Sequence, residues 1–356
     1  MKKIFAILLA LCLLLSLCAC SKSEPTATPT EVPGTTAPVT DPTTEPTTEP
    51  TTEPTTDPTT VPVTDPTEEP ETSSSISPLL YKVTDAEGHV AWLFGSIHVG
   101  QDYFYPLPDY VTNAYNSADA LAVEADMVAF ESDLSAQTAA LSSLVYLDGT
   151  MISDHISEDL YNRSVEILEE NNTYMSLLDV YYPIMWSSLI ESLQLATFEF
   201  DTELGIDMYF LNDAYDTGKE IQEVESVQFQ YDMMGNFSPE IQAAVLEGSI
   251  YSYDHPEESK ADLFELVDAW AQGNAEELSA LLNEVEFESD EEKALYEEYN
   301  DAMITQRNIS MADFAEEALD SGKEVFICVG AAHIVGEGAM ADLLAQRGYT
   351  VEVIRN

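Results

Sequence analysis

Positive charge is what this chain of 356 residues has least of: 12 Lys and Arg stand against 66 Asp and Glu, for a formal net charge of −54. A nucleic-acid binder needs a basic face to neutralise phosphates, so that class is excluded. Electrostatic docking on anionic lipid headgroups is excluded on the same ground. Cysteine is also scarce. Of four, Cys12, Cys18 and Cys20 lie in the first twenty residues, and Cys328 stands alone in an apolar run. With processing at Cys20, no intramolecular disulfide can form, and stability must come from a core. Cys328 reads as a buried small hydrophobe. No haem-attachment motif, phosphate-binding loop or serine nucleophile elbow is present. Long apolar runs are limited to Ile4–Leu17, 14 residues. That is too short to span a bilayer.

The run does fit a signal-peptide core, after the positive Met1-Lys2-Lys3. It ends in Leu17-Cys18-Ala19-Cys20, which resembles a bacterial lipobox, with cleavage after Ala19 and a lipid on Cys20. Residues 1–19 are then a signal peptide, and the chain is expected on the outer face of the cell membrane, held by its lipid alone. Residues 20–76 follow as a Thr/Pro/Glu-rich stalk that cannot bury apolar surface. Prolines recur every fourth residue over much of its length and favour extended backbone. Residues 21–76 carry 11 acids and one base, whereas residues 77–356 carry 55 acids and nine bases. The acidity therefore belongs mainly to the folded part. A hydrophobic content of 45%, with 18 Tyr, 13 Phe and 3 Trp, suffices for a sizeable core there.

In residues 77–356, strands are expected at 80–84, 89–94, 120–124, 219–225, 325–329 and 349–354. Helices are expected at 108–118, 131–146, 157–170, 175–197, 202–217, 239–249, 259–271, 275–284, 290–320 and 338–347. Strands separated by helices imply right-handed crossovers and a mainly parallel sheet. The class is α/β: a sheet core from two related strand–Gly-x-x-His–helix–strand halves, with a large helical insertion over about 127–300. The halves are recognisable as Gly95-x-x-His98-Val99-Gly100 near the start and Gly330-x-x-His333-Ile334-Val335-Gly336 near the end. Each histidine sits just beyond the carboxyl end of a buried strand, the edge where open α/β sheets bind ligands. Each glycine permits a tight turn or a close approach. If the two strands are neighbours, both imidazoles enter one cleft. Glu124 ends another apolar strand and either joins that cleft or faces a burial penalty. Two histidines and a carboxylate, His98, His333 and Glu124, make a facial set of divalent-metal ligands. A metal there could activate water near neutral pH. His89, His155 and His255 lack this context and are expected on the surface.

These blocks resemble the TraB/GumN family. Trp92-Leu93-Phe94-Gly95-Ser96-Ile97-His98-Val99-Gly100 looks like its first motif, and Val329 to Gly338 like its last. Val123-Glu124-Ala125-Asp126 resembles its acidic strand end. Gly205-Ile206-Asp207, Ala214 to Lys219 and Val224-Glu225-Ser226 through Gln230 resemble its middle blocks, and Arg307-Asn308 its Arg-Asn pair. Ala332 stands where the family usually has Gly. The family is similar to the Tiki metalloproteases and related in fold to erythromycin-esterase-like and ChaN-like proteins. The resemblance implies a cleft holding His98, Glu124, Arg307 and His333, with a divalent ion (manganese, cobalt or zinc) as cofactor. It implies a metal-dependent, peptidase-like hydrolase. Glu124 could serve as general base, Arg307 as oxyanion or carboxylate partner, and Asn308 as an orienting group. Asp207 and Glu225 could line the cleft, although a solvated helix face and a strand end also explain them. Two other readings stand beside the enzyme. One is a non-catalytic lipoprotein that binds a peptide, small molecule or cofactor such as haem. The other is a surface interaction protein whose insertion presents Tyr181, Tyr182, Trp186, Phe198 and Phe200 to a partner.

Overall fold

The computed structural model describes residues 74–283, 285, 287 and 289–355. The segments expected to form a signal peptide and stalk, with Cys20, lie outside the described residues up to residue 73. Six strands form one sheet: β1 (Leu80–Thr84), β2 (Val90–Ser96), β3 (Ala120–Val123), β4 (Glu220–Glu223), β5 (Val325–Gly330) and β6 (Thr350–Ile354). Their order across the sheet is β4-β3-β5-β2-β1-β6. The run β4-β3-β5-β2 is parallel throughout, and β1 is antiparallel to both β2 and β6. The fold is therefore α/β with a mostly parallel sheet, and the two Gly-x-x-His strands, β2 and β5, are neighbours.

Local sequence accounts for the strands. Ala120–Val123 and Val325–Val329 are unbroken apolar runs, and every residue in them is buried. That is the pattern of parallel strands covered on both faces. β4 reads Glu-Ile-Gln-Glu and takes the sheet edge, where half-exposed residues are tolerated. Between β1 and β2 the chain reverses at Asp85, whose Oδ1 accepts from the Glu87 and His89 amides at 3.0 and 2.7 Å. Gly88 supplies the left-handed residue of this turn, at φ +93°.

The expected helices are largely present, with informative breaks. The segment 131–146 divides into Met127–Ser132 and Leu134–Ser142, because Asp133 turns its carboxylate onto the Ser135 and Ala136 amides as an N-cap. The segment 175–197 becomes a 3-10 turn, Ser176–Val180, and a helix that starts on Pro183, where a missing N–H costs nothing. The segment 290–320 is helical throughout but contains a π turn, Asp301–Thr305, just before Arg307. Helix Val227–Gly235 lies outside the expected helices; Ser226 caps it by accepting from the Phe229 amide. Helices Pro183–Thr197 and Pro239–Asp254 pack together over a second, smaller core of Ile152, Leu160, Ile167, Leu168, Trp186, Ile190, Leu246 and Ile250. Trp186, Phe198 and Phe200 are buried and Tyr181 and Tyr182 half-buried, so these aromatics build the interior and do not form an open partner face. No helix among the described residues is long and apolar enough to cross a membrane.

Candidate functional site

Because β2, β5 and β3 run parallel and side by side, their carboxyl ends lie at one edge of the sheet. His98 follows β2, His333 follows β5 and Glu124 follows β3, so three chain segments far apart in sequence deliver one side chain each. All three are at least nine-tenths buried. The motif glycines explain how the segments come so close. A Cβ on Gly95 would lie 2.9 Å from the Ala331 backbone, inside the second motif. A Cβ on Gly330 would lie 3.1 Å from Glu124 Oε1, 3.7 Å from His98 Nε2 and 3.7 Å from His333 Cδ2. Both glycines thus serve close approach. Gly330 has an ordinary φ of −49°, and its missing methyl leaves the point on which the three side chains converge. Glu124 Oε1 and His333 Nε2 are 3.9 Å apart.

The carboxylate of Glu124 is held from several directions. Oε1 accepts from the Gly330 amide at 2.6 Å, and Oε2 from Arg307 Nη2 at 2.7 Å and Gln230 Nε2 at 3.3 Å. Arg307 is 3% exposed. Its Nε donates to both oxygens of Glu225 at 2.9 and 3.1 Å, its Nη2 to Glu225 Oε2 at 2.8 Å, and its Nη1 to the Met303 carbonyl in the π turn. One buried guanidinium therefore bridges two buried carboxylates. Burial alone would raise the pKa of Glu124. Arg307, the two histidines and the Gly330 amide overcome it and hold the carboxyl down at about 2.

Each imidazole has its Nδ1 edge turned to an oxygen. His333 Nδ1 is 2.7 Å from Asn308 Oδ1, and Asn308 Nδ2 in turn donates to the Gly338 carbonyl. An amide oxygen can only accept, so Nδ1 carries the proton and Nε2 keeps its lone pair. Burial, and then the nearby Arg307, hold the pKa of His333 down at about 3. His98 Nδ1 lies 3.1 Å from Asp207 Oδ2, a strong charge attraction, though too oblique for a well-formed hydrogen bond. Burial would depress the pKa of His98, but Asp207 and then Glu124 outweigh it and raise the value to about 9. The backbone sets this pairing: the Ile206 amide donates to the Ile97 carbonyl at 3.0 Å, and Gly205 packs on the His98 carbonyl, where a Cβ would come to 2.8 Å. Asp207 Oδ1 is buried without a hydrogen-bond partner and lines a small pocket with Ser96, His98, Glu124 and Cys328.

The structure thus brings together His98, Glu124, Arg307, Asn308 and His333, as the sequence suggested. Asp207 and Glu225, which a solvated helix face and a strand end would also have explained, belong to the cluster. Cys328 is buried, as expected for a small hydrophobe, but it lies on the pocket wall, and burial pushes its thiol pKa well up. Gln230, which the sequence showed only as the end of a block resembling the family and not as a site candidate, is a further member. Its signal was Ser226 followed by the helix-compatible run Val227 to Met234. His89 pairs with Asp85 in the β1–β2 turn, while the exposed His155 and His255 stack on Tyr146 and Tyr251. Among the described residues, no group of three or more His, Cys, Asp or Glu side chains is placed so as to hold a metal ion.

Fold and site together define an α/β protein with paired Gly-x-x-His motifs facing a buried, Arg-braced glutamate across adjacent parallel strands. The chain belongs to the TraB/PrgY/gumN family, which it matches over residues 79–353. It is 25% identical over 252 residues to "Uncharacterized protein YbaP" of Escherichia coli (strain K12), covering 71% of this chain and 86% of that protein. The protein of the same name from Shigella flexneri matches to the same extent. No solved structure gives a significant match.

Proposed function

We propose that this protein is a divalent-metal-dependent hydrolase acting on peptides at the outer cell surface, tethered by a lipid on Cys20 and a Thr/Pro/Glu stalk. The observation that carries the reading is the convergence of His98 Nε2, Glu124 Oε1 and the His333 ring on the point beside Gly330. The donor chemistry suits such an ion. Two ligands each about 2.1 Å from one metal can stand at most about 4.2 Å apart, and Glu124 Oε1 and His333 Nε2 are 3.9 Å apart. Asp207 and Asn308 occupy the Nδ1 edges of the two histidines, the orientation that presents Nε2 to a metal. His98, Glu124 and His333 would hold manganese, cobalt or zinc, and such an ion, when bound, supplies an acidified water. Arg307 and the Gly330 amide fix Glu124 so that Oε1 faces the reacting point. Asn308 fixes the tautomer of His333. The buried cluster also keeps bulk water from these groups, which strengthens each charge interaction.

The test is metal content and turnover in the purified protein. His98→Ala and His333→Ala should each lose metal uptake while keeping the fold. A peptide library incubated with and without Mn²⁺ should yield metal-stimulated cuts that Glu124→Gln abolishes. Unchanged metal stoichiometry in both histidine variants would sink the metal assignment. The second reading, a non-catalytic peptide- or cofactor-binding lipoprotein, draws on the absence of such a metal-holding group among the described residues and on the commitment of Glu124 to Arg307. Saturable binding without products would favour it.

A further inference from the structure

Four strongly exposed large apolar side chains gather on two loops that carry no residue of the site. Leu147 is 85% exposed, Leu177 64%, Met175 57% and Met151 46%. The loops are joined. Val145 forms an antiparallel bridge with Tyr181, the Tyr146 amide donates to the Val180 carbonyl at 2.8 Å, and the Tyr182 amide to the Leu144 carbonyl at 2.8 Å. The 3-10 turn Ile152–Asp154 packs against the turn Ser176–Val180. Beneath them lies the second core, with Ile152 and Trp186 fully buried and Tyr146, Tyr174 and Leu178 packed against it. The four apolar side chains therefore stand on an ordered base. Solvent-facing apolar residues grouped in this way mark interaction surfaces, and methionine adapts its shape to a partner.

The charge around them narrows the partner. Residues 144–180 contain eight acids and one base, Arg163. Arg163 is already engaged by Glu166 and Asp254. Asp148, Asp154 and Asp179 stand on the two loops themselves, which carry no Lys or Arg, and this local negative charge repels a second copy of this acidic chain and an anionic bilayer alike. It attracts lysine and arginine. We infer that this tip docks a cationic amphipathic segment of another protein, whose apolar face covers Leu147, Met151, Met175 and Leu177 and whose basic residues meet Asp148, Asp154 and Asp179.

The test uses the purified chain and a synthetic amphipathic Leu/Lys peptide, with a Leu/Glu peptide of the same pattern as control. The comparison is with the double variant Leu147→Ser, Leu177→Ser, which keeps every charge, so that general attraction to an acidic protein is unchanged. Both positions are exposed, and the thermal midpoint should stay within about 2 °C of the parent. The expected result is saturable binding of the Leu/Lys peptide alone, weakened about tenfold or more in the double variant. Equal binding by parent and variant would reduce the effect to charge and overturn the proposal, as would no binding by the parent. Concentration-dependent self-association lost in the variant would assign the tip to a second copy. Capture on phosphatidylcholine/phosphatidylglycerol vesicles lost in the variant would assign it to a membrane. Either outcome also overturns the proposal.

Discussion

The Arg307→Met substitution separates two roles for the buried guanidinium. Nη2 stands 2.7 Å from Glu124 Oε2 and 2.8 Å from Glu225 Oε2. Those two oxygens are therefore within about 5.5 Å of each other, with side chains 8% and 5% exposed. Methionine fills most of the volume but leaves two buried carboxylates facing each other without their cation. Breaking a buried pair from one side costs roughly 3–5 kcal/mol, because the stranded charge keeps its desolvation penalty. At roughly 2–4 °C per kcal/mol for a domain of this size, the midpoint should fall by about 6–20 °C. Glu225→Gln added to Arg307→Met removes one stranded charge and should recover about 1–3 kcal/mol, a coupling expected only between groups that touch. Calorimetry and urea unfolding at neutral pH on the parent, both single variants and the double variant complete the cycle. If Arg307 is instead held in reserve for substrate, Arg307→Met will be neutral or stabilising and the cycle will show no coupling. That result would refute the bracing role.

Gly330→Ala should leave the fold intact, since φ −49° suits alanine. It should displace the Glu124 carboxylate, 3.1 Å from the new methyl, and abolish metal uptake; a variant with full metal content would show that the three side chains do not share the point beside Gly330. Glu191 is a pH probe remote in sequence from both motifs. It is buried between helices Pro183–Thr197 and Pro239–Asp254 with Ser249 as its hydrogen-bond partner, and burial raises its pKa well above the ordinary value. The unfolded chain releases this proton above about pH 4.5 while the folded chain keeps it. The contribution of Glu191 is therefore fully present below that pH and falls as pH rises, by up to about 1.4 kcal/mol per pH unit, until the folded group titrates. Glu191→Gln should remove that slope, so the variant gains on the parent as pH increases from 5 to 8; parallel stability curves would contradict it.

Much of this protein is written in short stretches of sequence. The apolar runs Ala120–Val123 and Val325–Val329 define two of the central strands, and Asp85 to Gly88 the turn between the first two. The repeated Gly-x-x-His places His98 and His333 beyond strand ends, and the run before Cys20 carries the reading of export and anchoring. Such features act over a few residues, through caps, turn geometry and the period of burial, and so are legible without the fold. The break at Asp133 was legible in principle as an N-cap, whereas the π turn before Arg307 left no such mark. What only the tertiary structure decided are partnerships across great sequence distance. Glu124 meets the Gly330 amide 206 residues away and Arg307 183 residues away. Asp207 looked like an acid in the first turn of a helix, and becomes the partner of His98 only because Ile206 docks on Ile97. Glu225 looked like a polar strand end, and becomes half of a buried ion pair only because the helix Gln306–Asp320 returns against β2 and β5. The insertion aromatics that one reading offered to a partner turned inward, Trp186 into the second core and Phe198 and Phe200 into the main one, while the loop residues Leu147 and Leu177 stayed outside. Burial and charge pairing are settled by which segments meet, and that is a property of the sheet order β4-β3-β5-β2-β1-β6, which no single stretch of the chain encodes.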